Sequence, residues 1–99
     1  MVAGPLQGVR VVEMGQLIAI PWATKMMADM GAQVIRLESC RRLENYRGDS
    51  MYLDDISGEF WNRGANFYEH NRNKLGITLD LGQEHGLSIL RELVAVSDV

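Results

Sequence analysis

Basic side chains supply the most concentrated chemistry in this 99-residue chain. His70-Asn71-Arg72-Asn73-Lys74 places two fixed cations among three further hydrogen-bonding side chains with no acid between them, and Arg41-Arg42 forms a second basic pair. Guanidinium and ammonium groups in such company bind phosphate through charge-assisted hydrogen bonds. The same residues suit solvated turns, where most charged side chains lie, and both readings stand at this point. Cys40 sits between Ser39 and Arg41-Arg42, where neighbouring cations favour the thiolate. No general base stands at a defined distance from it, so a structural or incidental thiol is the simpler reading. His70 and His85 read as surface or cap residues, since neither has an acid or base partner at a telling spacing.

The connection Gly15-Gln16-Leu17-Ile18-Ala19-Ile20-Pro21 matters for its position. It lies between a strand-like and a helix-like segment, the place where open α/β sheets bind ligands and where free backbone N–H groups favour anions. A dinucleotide fingerprint needs three glycines here, and only Gly15 is present. Glu38 ends the next strand-like run, where a ribose-binding acid would stand, but one acid without the glycine loop is a weak signal.

The elements that must position these residues follow from periodicity. Residues 9–14, 33–38 and 76–81 are short, β-branched or largely apolar, and read as strands. Residues 21–30 read as a helix with Pro21 at its start and Gly31 in a left-handed cap. Residues 83–96 carry Leu87, Leu90, Leu93 and Val94 on one stripe. Phe60, Trp61, Gly64, Phe67 and Tyr68 suggest a further helix over 59–68 within the irregular stretch from Ser39 to Asn73. Met26, Met27 and Met30 read as core filler on the first helix. Strand, helix and strand within about thirty residues imply a right-handed crossover and a parallel sheet. The fold class expected is α/β. A helix that reaches Ser97-Asp98-Val99 should return the chain to a fourth strand, so the sequence reads as a portion of a larger domain.

Composition narrows the function classes. Thirteen acids against ten bases give a net charge of −3, which disfavours a nucleic-acid binder. A single cysteine forms no internal disulfide, there is no His/Cys cluster with metal-ligand spacing, and no apolar stretch approaches a membrane span. A cytoplasmic setting is expected, with no bound metal, nucleic acid or membrane.

Taken together, Pro5-Leu6-Gln7-Gly8-Val9-Arg10-Val11-Val12-Glu13, the run from Pro21 to Glu38, Gly48-Asp49, Asn71-Arg72-Asn73-Lys74, Leu79-Asp80-Leu81 and Ser97-Asp98-Val99 resemble the N-terminus of the class III CoA-transferases. That family includes formyl-CoA transferase, carnitine CoA-transferase and 2-methylacyl-CoA racemase. The resemblance implies that residues 1–99 are an incomplete N-terminal portion of a large Rossmann-type, CoA-binding domain, in a parent that forms interlocked homodimers. It implies transfer of CoA from an acyl-CoA thioester to a carboxylic acid, with the thioester as substrate and no resident cofactor. The alternatives are an acyl-CoA racemase or epimerase of the same family, and a non-catalytic nucleotide-binding or interaction domain.

By the same resemblance, the positions matching CoA contacts are Ile18, Ala19, Ser39, Leu79, Asp80, Leu81 and Gly82. The family usually has Gly where Ile20 stands, and often a base where Ser39 and Gly82 stand. Arg41, Arg42, Arg72 and Lys74 are then the candidate phosphate contacts. The family's nucleophile is an aspartate expected beyond Val99. No catalytic role is therefore assigned to Asp29, Asp49, Asp54, Asp55, Asp80 or Asp98, and the portion alone is expected to be inactive.

Overall fold

Residues 3–48 and 57–99 are described by a computed structural model of the chain. Asp49 of the Gly48-Asp49 pair, and Asp54 and Asp55, lie outside the described residues. The elements are β1 (Arg10–Glu13), α1 (Ala19–Asp29), β2 (Gln33–Glu38), α2 (Asn45–Gly48), a 3₁₀ turn (Phe60–Asn62), α3 (Ala65–Asn71), β3 (Leu75–Thr78) and α4 (Glu84–Ala95). The three strands form a parallel sheet in the order β1-β2-β3, with Val11 opposite Val34 and Leu37 opposite Ile77. The α/β class and the parallel pairing read from the sequence are what the structure has.

α1 packs on β1 and β2 and also against α3. Val11, Ala28, Ala32 and Val34 are buried at this junction, with Leu6, Val9 and Met27 against them. Of the three methionines expected in the core only Met27 packs there. Met26 and Met30 are 50% and 40% exposed, because they lie on the helix face turned from the sheet, four residues apart.

Several boundaries differ from expectation for local reasons. α1 begins at Ala19, two residues before Pro21, and its first helical bond runs from Trp22 N to Ile18 O at 2.8 Å. Proline is tolerated there because the N–H groups of a first turn have no intrahelical partner. The other end is as expected, with Gly31 at φ +103°. The segment 59–68 is two elements: Gly64 separates the 3₁₀ turn from α3 in an extended conformation. A Cβ on Gly64 would stand 2.3 Å from Tyr46 O, so glycine is required for α2 to approach. α2 itself is too short for a periodicity signal.

β3 stops at Thr78 and does not reach Leu81. Asp80 ends it by accepting a hydrogen bond from Gly82 N at 3.0 Å. An Asx turn of this kind diverts the backbone from the ladder. α4 then leads back to the edge of β1 that faces away from β2. Val99 N donates to Arg10 O at 3.2 Å and Val12 N donates to Val99 O at 2.9 Å. Those two bonds are the pattern of a parallel ladder and place Val99 beside Val11.

Candidate functional site

The carboxyl ends of the three strands open onto a cleft of about 320 Å³. Met14 and Gln16 line it from the β1 side, Leu37, Glu38 and Ser39 from β2, and Leu79, Asp80, Leu81 and Gly82 from the loop after β3. A second cleft of about 420 Å³ shares Glu38 and Ser39 and extends over Cys40, Leu43, Arg47 and Trp61. Ligands of open parallel sheets bind at this edge, because the βα loops diverge there and leave backbone groups unpaired.

Five of the residues singled out from the sequence, Ser39, Leu79, Asp80, Leu81 and Gly82, therefore meet in one cleft. Ile18 and Ala19 stand at the exposed start of α1 and do not line either cleft. Their loop is nevertheless held in place. Glu44, 5% exposed, accepts a hydrogen bond from Leu17 N at 2.9 Å through one oxygen and from Tyr46 N at 3.1 Å through the other. That contact supports Leu17 at φ +62°, a conformation uncommon for a branched side chain. Ile20 packs on Gly15, where a Cβ would come within 2.2 Å of the isoleucine Cβ. The glycine thus makes room for the β-branched residue.

The four candidate phosphate contacts lie in four different settings. Arg41 pairs with Asp80 at 3.0 Å. Arg42 lines a small hollow of about 90 Å³ beside Ser39 and Gln16. Arg72 grips Asp29 at the C-terminal end of α1, with contacts of 2.7 and 3.1 Å. Its hydrogen bond holds the Asp29 carboxyl below the usual carboxylate range, and Asp29 in turn raises Arg72. Arg72 is thus drawn to the end of α1 remote from the cleft.

The Lys74 side chain is buried, and its ammonium is fully engaged. It lies 2.8 Å from Glu13 Oε2, 2.9 Å from Pro21 O, 3.0 Å from His70 O and 2.9 Å from Asn71 Oδ1. The phosphate role expected of it does not fit that placement. Burial pushes its pKa down, against the opposing pull of Glu13. Glu13 is the centre of the cluster: Arg36 Nη1 donates to Oε1 at 2.5 Å and Thr24 Oγ1 donates to Oε2 at 2.8 Å. Arg36 Nε is the one buried side-chain polar atom among the described residues without a hydrogen-bond partner.

Two structurally central residues, Glu13 and Arg47, are not singled out by sequence reasoning. A charged residue inside an apolar strand is the available signal for Glu13. Arg47 belongs to the stretch without periodicity. It holds Glu38 through two hydrogen bonds of 2.7 and 2.8 Å and stacks 3.7 Å from the Phe67 ring. The Glu38 carboxylate that suggested a ribose contact is thereby occupied. Cys40 is exposed at the second cleft. His70 lies between the Trp22 and Tyr46 rings, with Nδ1 2.8 Å from Asn66 O. His85 is exposed. No group of three or more metal-ligating side chains occurs among the described residues, and no helix among them is long and apolar enough to cross a membrane.

A parallel sheet whose βα loops open on a cleft at its carboxyl edge defines an open α/β domain. The chain belongs to CoA-transferase family III, whose sequence pattern matches residues 6–99. It is 38% identical over 97 residues to a succinate–glutarate CoA-transferase of Agrobacterium fabrum, covering 96% of this chain and 24% of that protein. It is 36% identical over 99 residues to a formyl-CoA:oxalate CoA-transferase of Streptomyces coelicolor, covering all of this chain and 22% of that one. The crystal structure of a CaiB/BaiF family protein from Brucella suis superposes with a TM-score of 0.80 at 37% identity, over 98% of this chain and 25% of the other. The chain thus spans about a quarter of the length of these relatives.

Proposed function

We propose that the chain forms part of the coenzyme A site of an enzyme that moves CoA from an acyl-CoA thioester to a carboxylic acid. The observation that carries this reading is the meeting of Ser39 with Leu79, Asp80, Leu81 and Gly82 in the cleft at the carboxyl edge of the sheet. Met14, Leu37, Leu79 and Leu81 offer apolar surface for a flat base, and Ser39, Gly82 and the loop backbone leave room and polar groups to orient it. The relatives named for CoA transfer support the reaction class.

In this proposal the 99 residues bind and orient CoA, and the carboxylate that attacks the thioester comes from elsewhere in a longer protein. A carboxylate nucleophile divides one difficult acyl transfer into easier covalent steps. The working protein is a homodimer, acting on soluble acyl-CoA and a carboxylate acceptor.

Titration calorimetry with CoA tests the site. Gly82 is exposed, and a Cβ placed there would meet only Asp80 Oδ1, at 3.2 Å, a side-chain oxygen that must give by a few tenths of an ångström. Gly82→Trp fills the cleft mouth and should weaken CoA binding at least about tenfold while the melting midpoint holds. Equal binding by both forms contradicts the site. Acyl transfer from succinyl-CoA to a carboxylate by these 99 residues alone contradicts the assignment of the nucleophile elsewhere.

A further inference from the structure

The cleft assigned above to CoA has an electrostatic problem. Its lining includes two acids, Glu38 and Asp80, and no base, although the ligand proposed for it carries several phosphate charges. Glu38 is neutralised from outside by Arg47. Asp80 is neutralised by Arg41, which reaches across from the loop after β2 to the loop after β3. Unlike Glu38 and Arg47, each with 18% side-chain exposure, Arg41 is 72% exposed and Asp80 31%. An ion pair in water at this level of exposure is weak and exchanges readily with another anion.

We propose that Arg41 is the phosphate-binding cation of this cleft and that Asp80 is its internal competitor. An incoming phosphate takes the guanidinium from Asp80, gaining a forked, charge-assisted contact. A ligand without phosphate leaves the pair closed and gains nothing from Arg41. Asp80 thereby sets how strongly the site prefers phosphorylated ligands. The backbone of the same loop is kept in position separately, by the Asp80 Oδ1 contact to Gly82 N and by the close approach of Gly86 to Asp80 O. The inference rests on the reading of the cleft as a CoA site.

Asp80→Asn is the informative change, because asparagine keeps the Oδ1 acceptor for Gly82 N and removes the charge. CoA and adenosine are titrated into the native chain, D80N, Arg41→Gln and the double variant. D80N should bind CoA about two- to fivefold more tightly, the range set by the strength of an exposed ion pair. R41Q should bind it about tenfold more weakly, as expected for loss of a charged hydrogen bond. R41Q should weaken adenosine far less than CoA, because adenosine carries no phosphate and Arg41 stands outside the cleft lining. In the R41Q background the D80N gain should vanish, since there is no longer a cation to release. A D80N gain of the same size without Arg41 overturns the proposal, because it would report only the general field of Asp80. Unchanged CoA binding in R41Q also overturns it while leaving the cleft assignment intact. Failure of the native chain and all variants to bind CoA removes the cleft assignment and the proposal with it.

Discussion

Two sets of ion pairs around the same small sheet, one buried and one exposed, do opposite work. Beneath α1, Glu13 is fully enclosed between Arg36, Lys74 and Thr24, and the cations themselves are 3% and 2% exposed. At the cleft edge, Arg41 and Asp80 meet in solvent. Burying a charge costs several kcal/mol unless partners and hydrogen bonds replace its water, so the first set is fixed once the fold forms. The second set is weak enough to be exchanged for a ligand. Location decides which cations belong to the scaffold and which remain free for phosphate, and Lys74 and Arg41 fall on opposite sides of that division.

The largest effect should come from breaking the buried set. Glu13→Gln leaves Arg36 and Lys74 without their anion and should cost about 3–5 kcal/mol in urea unfolding, or abolish a cooperative transition altogether. A loss no larger than that of a surface variant would show that the cluster is not the fixed half of the comparison.

Next is the seam between α4 and the cleft loop. A Cβ on Gly86 would stand 2.1 Å from Asp80 O, so Gly86→Ala must push the loop aside. Overpacking of this kind costs about 1–3 kcal/mol. CoA binding should fall with it, as calorimetry would show, because the displaced loop carries Leu79 to Gly82.

Smallest is the exposed Asp29–Arg72 pair. The folded chain holds the Asp29 carboxyl below its usual pKa. Its contribution is therefore complete above the unfolded-state pKa and is lost as pH falls through the lowered folded-state value. Asp29→Asn should flatten that part of the acid limb of a stability–pH profile, leave neutral-pH stability nearly unchanged in high salt, and leave CoA binding untouched. An acid limb identical to that of the native chain would contradict the pairing.

The contrast also explains what the sequence could show. β1, α1, β2 and α4 are legible because each carries its own period and its own boundary residues, such as Gly31. α2 is not legible, and the 3₁₀ turn and α3 are legible only as a single helix over 59–68, because these elements are short and are held by distant contacts: Glu44 to Leu17 N, Arg47 to Glu38, and Gly64 against Tyr46 O. The cleft residues Ser39 and Leu79 to Gly82 were reachable through resemblance to a family. The partners of the basic residues were not. Arg72 and Lys74 are two positions apart, yet one turns to Asp29 at the end of α1 and the other to Pro21 O near its start. Only the path of the chain between α3 and β3 separates them.

The central claim is that the carboxyl edge of the sheet, and not the basic segment before β3, receives CoA. Backbone amide shifts of the isotope-labelled chain during CoA titration test it directly. The account predicts perturbations centred on Ser39, Arg41 and Leu79 to Gly82, with Asp29, Arg72 and Asn73 unmoved. Shifts centred on Arg72 and Asn73, with the cleft loops silent, would contradict it.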